Sequence, residues 1–233
     1  MTPQRSEAFW DYADLALFLT LSIASMLAAA VMVRFVPVLH SLSLAYQLLA
    51  GQIIWYILVF AWLTVILRLR YSAPLFRSLG WIPPRFSEAL RSILFGPVLV
   101  LLTGVIGVAL HTPRIQLPFT QMLAGTAKII LFGLLVGFLG PILEELAFRG
   151  FIMPLIVRSL GATAGIIISA AMFGALHGFE YPDWRYMILI SLAGVAFGWT
   201  RYRTGSTVNA ALMHCTFNLT QFVGLLAAGE ATR

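Results

Sequence analysis

The chain has 233 residues, of which 60% are hydrophobic and only 10% charged, whereas a soluble domain carries roughly 25% charged residues to hydrate its surface. Fifteen Lys and Arg with nine Asp and Glu cannot cover a water-soluble globule of this length, so the composition excludes a cytosolic α/β enzyme and a secreted disulfide scaffold and describes an integral membrane protein. The net charge of +6 comes from fourteen Arg and one Lys scattered through short loops, a pattern of orientation and headgroup contact that excludes nucleic acid as a partner.

About 20 helical residues cross a bilayer core about 30 Å thick. Residues 1–14 carry Glu7, Asp11 and Asp14, and the apolar run after them is too long for a cleaved signal, so Leu15–Val36 reads as a retained first span. The second span is about Leu42–Leu67. Arg68–Arg91 follows as a basic juxtamembrane loop with room for a short interfacial helix, holding Arg68, Arg70, Arg77, Arg85 and Arg91 with Pro74, Pro83 and Pro84. The third span, about Ser92–Leu110, leads into the loop His111–Pro118. The fourth apolar run, Ile129–Val157, is roughly 43 Å long at 1.5 Å per residue and must tilt or kink, with Pro141 as a cause. The remaining spans are about Ala162–Phe179, Tyr186–Tyr202 and Thr207–Ala227, joined by Glu180–Arg185 and Arg203–Ser206.

The fold class is therefore all-α, a polytopic transmembrane helical bundle of about seven spans. It divides into N-terminal membrane helices with the basic loop (1–120), a C-terminal helix bundle (121–228) and a short tail (229–233). Arg5, the 68–91 cluster, Arg158, Arg201 and Arg203 fall on one side, which puts the N-terminus in the cytoplasm by the positive-inside rule. The pairs Gly133/Gly137, Gly161/Gly165, Gly174/Gly178 and Gly194/Gly198 predict close helix contacts in the C-terminal half. Trp10, Trp81, Trp184 and Trp199 read as interfacial anchors. Cys215 has no partner for an intrachain disulfide and reads as a buried small hydrophobe.

Charge inside a span is costly and by default marks function. Most spans here are free of it, and the exceptions cluster late in the chain: Glu144, Glu145 and Arg149 in the fourth, His177 in the fifth, His214 and Asn218 in the seventh. Counted from the basic face, Glu144, His177 and Asn218 lie about 21, 23 and 18 Å deep, which predicts one shared polar site reached by a water-filled cavity. Glu145 and Arg149, four apart, read first as a structural ion pair. Glu144 points roughly 100° away with no basic partner on its helix, as suits a general base or a shared-proton carboxyl. Two imidazoles, a carboxylate and an amide can activate water and stabilise an oxyanion, and Glu144, His177 and His214 could equally ligate zinc. No HExxH motif, intramembrane Asp or GxSG serine is present to support another intramembrane protease chemistry.

The motifs Glu144-Glu145-x-x-x-Arg149, Phe173-x-x-x-His177 and His214-x-x-x-Asn218, in this order over about residues 125–222, resemble the CPBP (Abi) family of type II CAAX prenyl endopeptidases and bacteriocin-processing or immunity proteins. The resemblance implies an intramembrane endopeptidase in which Glu144 with His177 activates water, His214 and Asn218 bind the oxyanion, and Glu145 and Arg149 hold the geometry. It is compatible with a metal-free mechanism or with a divalent metal such as zinc. The partners it implies are a membrane-associated peptide or protein substrate and the lipid bilayer, while the short, loop-poor chain reads as a bacterial inner-membrane protein. A non-catalytic immunity or scaffold protein of the same fold is the alternative. A proton-coupled transporter is less favoured, because the polar residues are confined to one half of the chain.

Overall fold

The computed structural model describes residues 8–113, 125–179, 181 and 183–228. The boundary at 120/121, most of the 111–118 loop, Glu180 and the tail 229–233 lie outside the described residues. Among the described residues the regular structure is helical throughout: α1 (Tyr12–Phe35), α2 (Pro37–His40), α3 (Leu44–Val65), α4 (Leu75–Ser78), α5 (Phe86–Ala109), α6 (Thr126–Leu134), α7 (Gly140–Glu145), α8 (Met153–Leu176), α9 (Trp184–Thr204) and α10 (Thr207–Ala227).

Five helical stretches are long and apolar enough to cross a membrane: Tyr12–Phe35, Leu44–Arg70, Phe86–Ala109, Thr126–Leu176 and Thr207–Ala227. The difference from about seven has two physical sources. The stretch Thr126–Leu176 is 51 residues long but holds Gly161 at φ 84°, ψ 170°, a conformation that breaks the helix into two rods and that glycine adopts freely. The other source is α9, 21 residues long but more polar than the rest.

Local chemistry sets the helix ends. Asp11 caps α1 by accepting the Asp14 N–H at 3.0 Å, while the Asp14 carboxylate accepts the Asp11 N–H at 3.0 Å, so two of the helix's orphan donors are satisfied. The Asp14 N–H holds the Asp11 carboxyl below its ordinary value, against some desolvation and with help from Arg70. Asp14 is fully buried, 2.9 Å from the Arg70 guanidinium, and accepts the Tyr71 hydroxyl. Burial first, and then that hydrogen bond, pushes the Tyr71 phenol above its ordinary value.

Trp10 is 1% exposed rather than interfacial. Its indole stacks on Phe151 with centroids 5.0 Å apart and donates to the Phe151 carbonyl at 3.1 Å. Arg158 ties down the carbonyls of Ala8 and Trp10. Trp184 and Trp199 remain more than half exposed, as belt residues require.

The 68–91 segment does more than coat the bilayer surface. Leu75 and Leu79 are buried, the Gly80 carbonyl accepts the Thr207 N–H at 2.8 Å, and the Leu79 carbonyl accepts the Thr207 hydroxyl at 2.6 Å. The start of α10 is thus capped from a loop more than a hundred residues away. Gly80 has φ +66°, and a Cβ there would sit 2.2 Å from the Arg201 guanidinium.

The bundle is organised around α10, which packs on α5, α7 and α9, while α8 packs on α9 and α1 on α3. Small residues permit the closest approaches. A Cβ on Gly174 would lie 2.4 Å from the Met187 carbonyl of α9, and one on Gly137 would lie 2.5 Å from Leu219 of α10. α5 and α10 also approach closely at Gly96, outside the GxxxG pairs, where a Cβ would meet the Thr216 hydroxyl at 2.0 Å and the Met213 carbonyl at 2.7 Å.

Candidate active site

The long fourth run departs from regular α-helix in two π-helical turns, Leu135–Leu139 and Leu146–Ile152. Each ends just before a proline, Pro141 or Pro154. A proline lacks the N–H that an α-helix needs and its ring crowds the carbonyl four residues back; a wider turn accommodates both. Such turns are frequent at functional sites, and here they bracket the Glu144-Glu145 pair.

Glu145 and Arg149 are both fully buried. The guanidinium donates to Glu145 Oε1 at 2.8 Å and to the Gly194 carbonyl of α9 at 2.8 Å. It also lies over the rings of Phe173 (4.7 Å) and Phe197 (5.4 Å), so aromatic faces supply part of the stabilisation that water would give. Glu145 Oε1 further pairs with His214 Nδ1 at 3.0 Å. Because that oxygen already accepts from Arg149, the imidazole is the donor in this bond, and His214 Nε2 faces the other way, 3.9 Å from Glu144 Oε2. The His214 ring is clamped by stacking on Phe197 at 4.4 Å and by the edge of Phe173 at 5.6 Å.

His177 stands where α8 gives way to a short 3₁₀ turn. Its Nδ1 pairs with the Phe173 carbonyl at 2.8 Å, which fixes Nδ1 as the donor and leaves Nε2 as the acceptor. The Phe173 ring touches both His177 and His214. Glu144 and His177 share the wall of a cavity of about 440 Å³. The rest of that wall is mostly apolar, from Met26, Ala29, Ala30 and Val33 of α1 and Leu44, Leu48 and Trp55 of α3, with Gln47, Gln52 and Tyr56 as its polar members.

Asn218 does not line this cavity. Its amide donates to the Val136 carbonyl at 2.9 Å, for a reason set by the first π-turn. The Gly140 N–H that would serve Val136 in an α-helix bonds Leu135 instead, and the next position, Pro141, has no N–H to give. Asn218 supplies the missing donor and thereby ties α10 to the π-turn of the fourth run.

Among the described residues no group of three His, Cys, Asp or Glu side chains is arranged to hold a metal ion. His214 is turned between two carboxylates, Glu144 Oε1 is occupied by a tyrosine, and His177 is swung toward its own helix's carbonyl. As placed, these side chains do not form a three-ligand zinc site.

The residue missed at the sequence level is Tyr56 of α3, whose hydroxyl donates to Glu144 Oε1 at 2.7 Å. In an apolar helix a tyrosine reads as an interfacial residue, and only its position four residues after Gln52, on the same face, hints at a polar stripe.

A polytopic helical bundle with a carboxylate and imidazole at a cavity and a second carboxylate orienting a second imidazole defines a candidate intramembrane hydrolase. Residues 126–220 match the family model described as type II CAAX prenyl endopeptidase Rce1-like. No curated protein and no solved structure matches the chain. The matched segment holds Glu144, Glu145, Arg149, Phe173, His177, His214 and Asn218, and the match agrees with the resemblance its motifs carry. The family supports a membrane endopeptidase of the CAAX-protease type.

Proposed function

We propose that this protein hydrolyses a peptide bond of a membrane-associated peptide or protein, using water activated by Glu144 with His177. The observation that carries this reading is the shared cavity wall of Glu144 and His177, with His214 Nε2 3.9 Å from Glu144 Oε2. Water held at Glu144 Oε2 and His177 Nε2 gives a proton to the carboxylate as its oxygen attacks the scissile carbonyl. The carbonyl π electrons move to the oxygen, where the Nε2–H of His214, backed by the Glu145 carboxylate, is the donor. Collapse of the tetrahedral intermediate breaks the C–N bond, and the proton on Glu144 passes to the leaving amine.

The apolar α1–α3 wall suits the lipid-embedded part of a substrate, and the basic-loop distribution supports a cytoplasmic N-terminus. In proteoliposomes, cleavage of a fluorogenic prenylated CAAX peptide is expected to fall about 10²- to 10⁴-fold in Glu144→Gln with Tm unchanged. Turnover retained in that variant contradicts the proposed water activation.

A further inference from the structure

Tyr56 lies on α3, outside the 126–220 segment that the family match covers, yet it reaches the central carboxylate of the site. Resting on the function proposed above, we propose that Tyr56 is a positioning residue for Glu144, so that the N-terminal helices complete the active site.

The two oxygens of Glu144 are divided between different tasks: Oε1 accepts the Tyr56 hydroxyl at 2.7 Å, and Oε2 faces His214 Nε2 at 3.9 Å. A glutamate has three side-chain torsions, and on a cavity wall it samples several rotamers unless something holds it. The side chain of Glu144 is 20% exposed, whereas Glu145 is fully buried, so packing alone holds Glu144 less firmly than its neighbour. A hydrogen bond to a charged acceptor in a low-dielectric setting is among the stronger ones. It pins one oxygen and leaves the other for the water.

The backbone is cut to fit this contact. A Cβ at Gly140 would stand 3.1 Å from the Tyr56 hydroxyl oxygen and 3.6 Å from Glu144 Oε1, so the absence of a side chain there lets the phenol approach. Tyr56 is itself 8% exposed and packs in a satellite cluster with Ala45, Leu49 and Phe132. Its ring is therefore anchored independently of the carboxylate it directs.

The test has a contact arm and a turnover arm. In protein carrying 3-fluorotyrosine, the ¹⁹F resonance identified by its loss in Tyr56→Phe is expected to shift in Glu144→Gln; an unmoved resonance overturns the contact. With the fluorogenic prenylated CAAX peptide, Tyr56→Phe is expected to lower kcat about 10- to 100-fold, with KM within about twofold and Tm unchanged. Gly140→Ala, which crowds the hydroxyl, is expected to act in the same direction. A purely structural tyrosine moves Tm and leaves kcat alone, and that result overturns the proposal. If Glu144→Gln abolishes turnover while Tyr56→Phe keeps wild-type kcat, only the positioning role falls. If the wild type does not cleave the peptide, or Glu144→Gln still does, the function fails and the tyrosine's role in it falls too, whatever the fluorine shift.

Discussion

Replacing Arg149 by Met removes the cation from a pair with no access to water. Both partners are fully buried, and the guanidinium also satisfies the Gly194 carbonyl. Breaking such a pair by deleting one member costs about 3–5 kcal/mol, because the other charge is left buried and uncompensated. At about 2–4 °C per kcal/mol for a chain of this size, Tm should fall by about 6–20 °C. The double variant Arg149→Met/Glu145→Leu removes both charges and fills the space with apolar atoms, so it should recover most of that loss. It should nevertheless lack turnover, because His214 loses the carboxylate that orients it. Thermal unfolding in nanodiscs, followed by intrinsic fluorescence, measures both variants. An Arg149→Met protein within about 2 °C of the wild type, or a double variant less stable than the single one, would refute the reasoning.

Two further outcomes follow from packing and titration. Gly96→Ala places a methyl 2.0 Å from the Thr216 hydroxyl and 2.7 Å from the Met213 carbonyl, so α5 and α10 must separate; a loss of about 1–3 kcal/mol is expected, read as a lower Tm, whereas Gly104→Ala, which meets nothing within 4 Å, should be neutral or stabilising. The Tyr71 phenol titrates above its ordinary value in the folded protein, so its contribution is complete below the unfolded value of about 10 and is lost as pH rises through the higher folded one. Tm measured against pH should therefore fall more gently on the alkaline side in Tyr71→Phe than in the wild type, and superimposable alkaline limbs would contradict the assignment.

The membrane class was legible because it depends on composition alone. The convergence of Glu144, Glu145, His177 and His214 was legible because charge in a span is rare enough to be informative one residue at a time. Pro141 marked where the fourth run leaves regular α-helical geometry. The π-turn there was hidden, because its form depends on where the displaced N–H groups find acceptors, and Asn218's bond to Val136 was hidden with it. Trp10 was misjudged for a related reason. A tryptophan beside the first apolar run suits an interface by its chemistry, but Arg158 and the Phe151 carbonyl draw it inside from about 140 residues away. Tyr56 was invisible because its partner is 88 residues distant and nothing local distinguishes a catalytic-site tyrosine from a belt tyrosine.

The central claim is that Glu144 performs proteolysis in the membrane, and quantitative terminal-peptide proteomics tests it in cells. Membrane fractions from cells carrying the wild-type protein and the Glu144→Gln variant at equal abundance are compared for new chain termini. The account predicts at least one membrane-associated precursor that accumulates uncut in the variant and whose cut terminus appears only with the wild type. Identical sets of termini in the two fractions would contradict it.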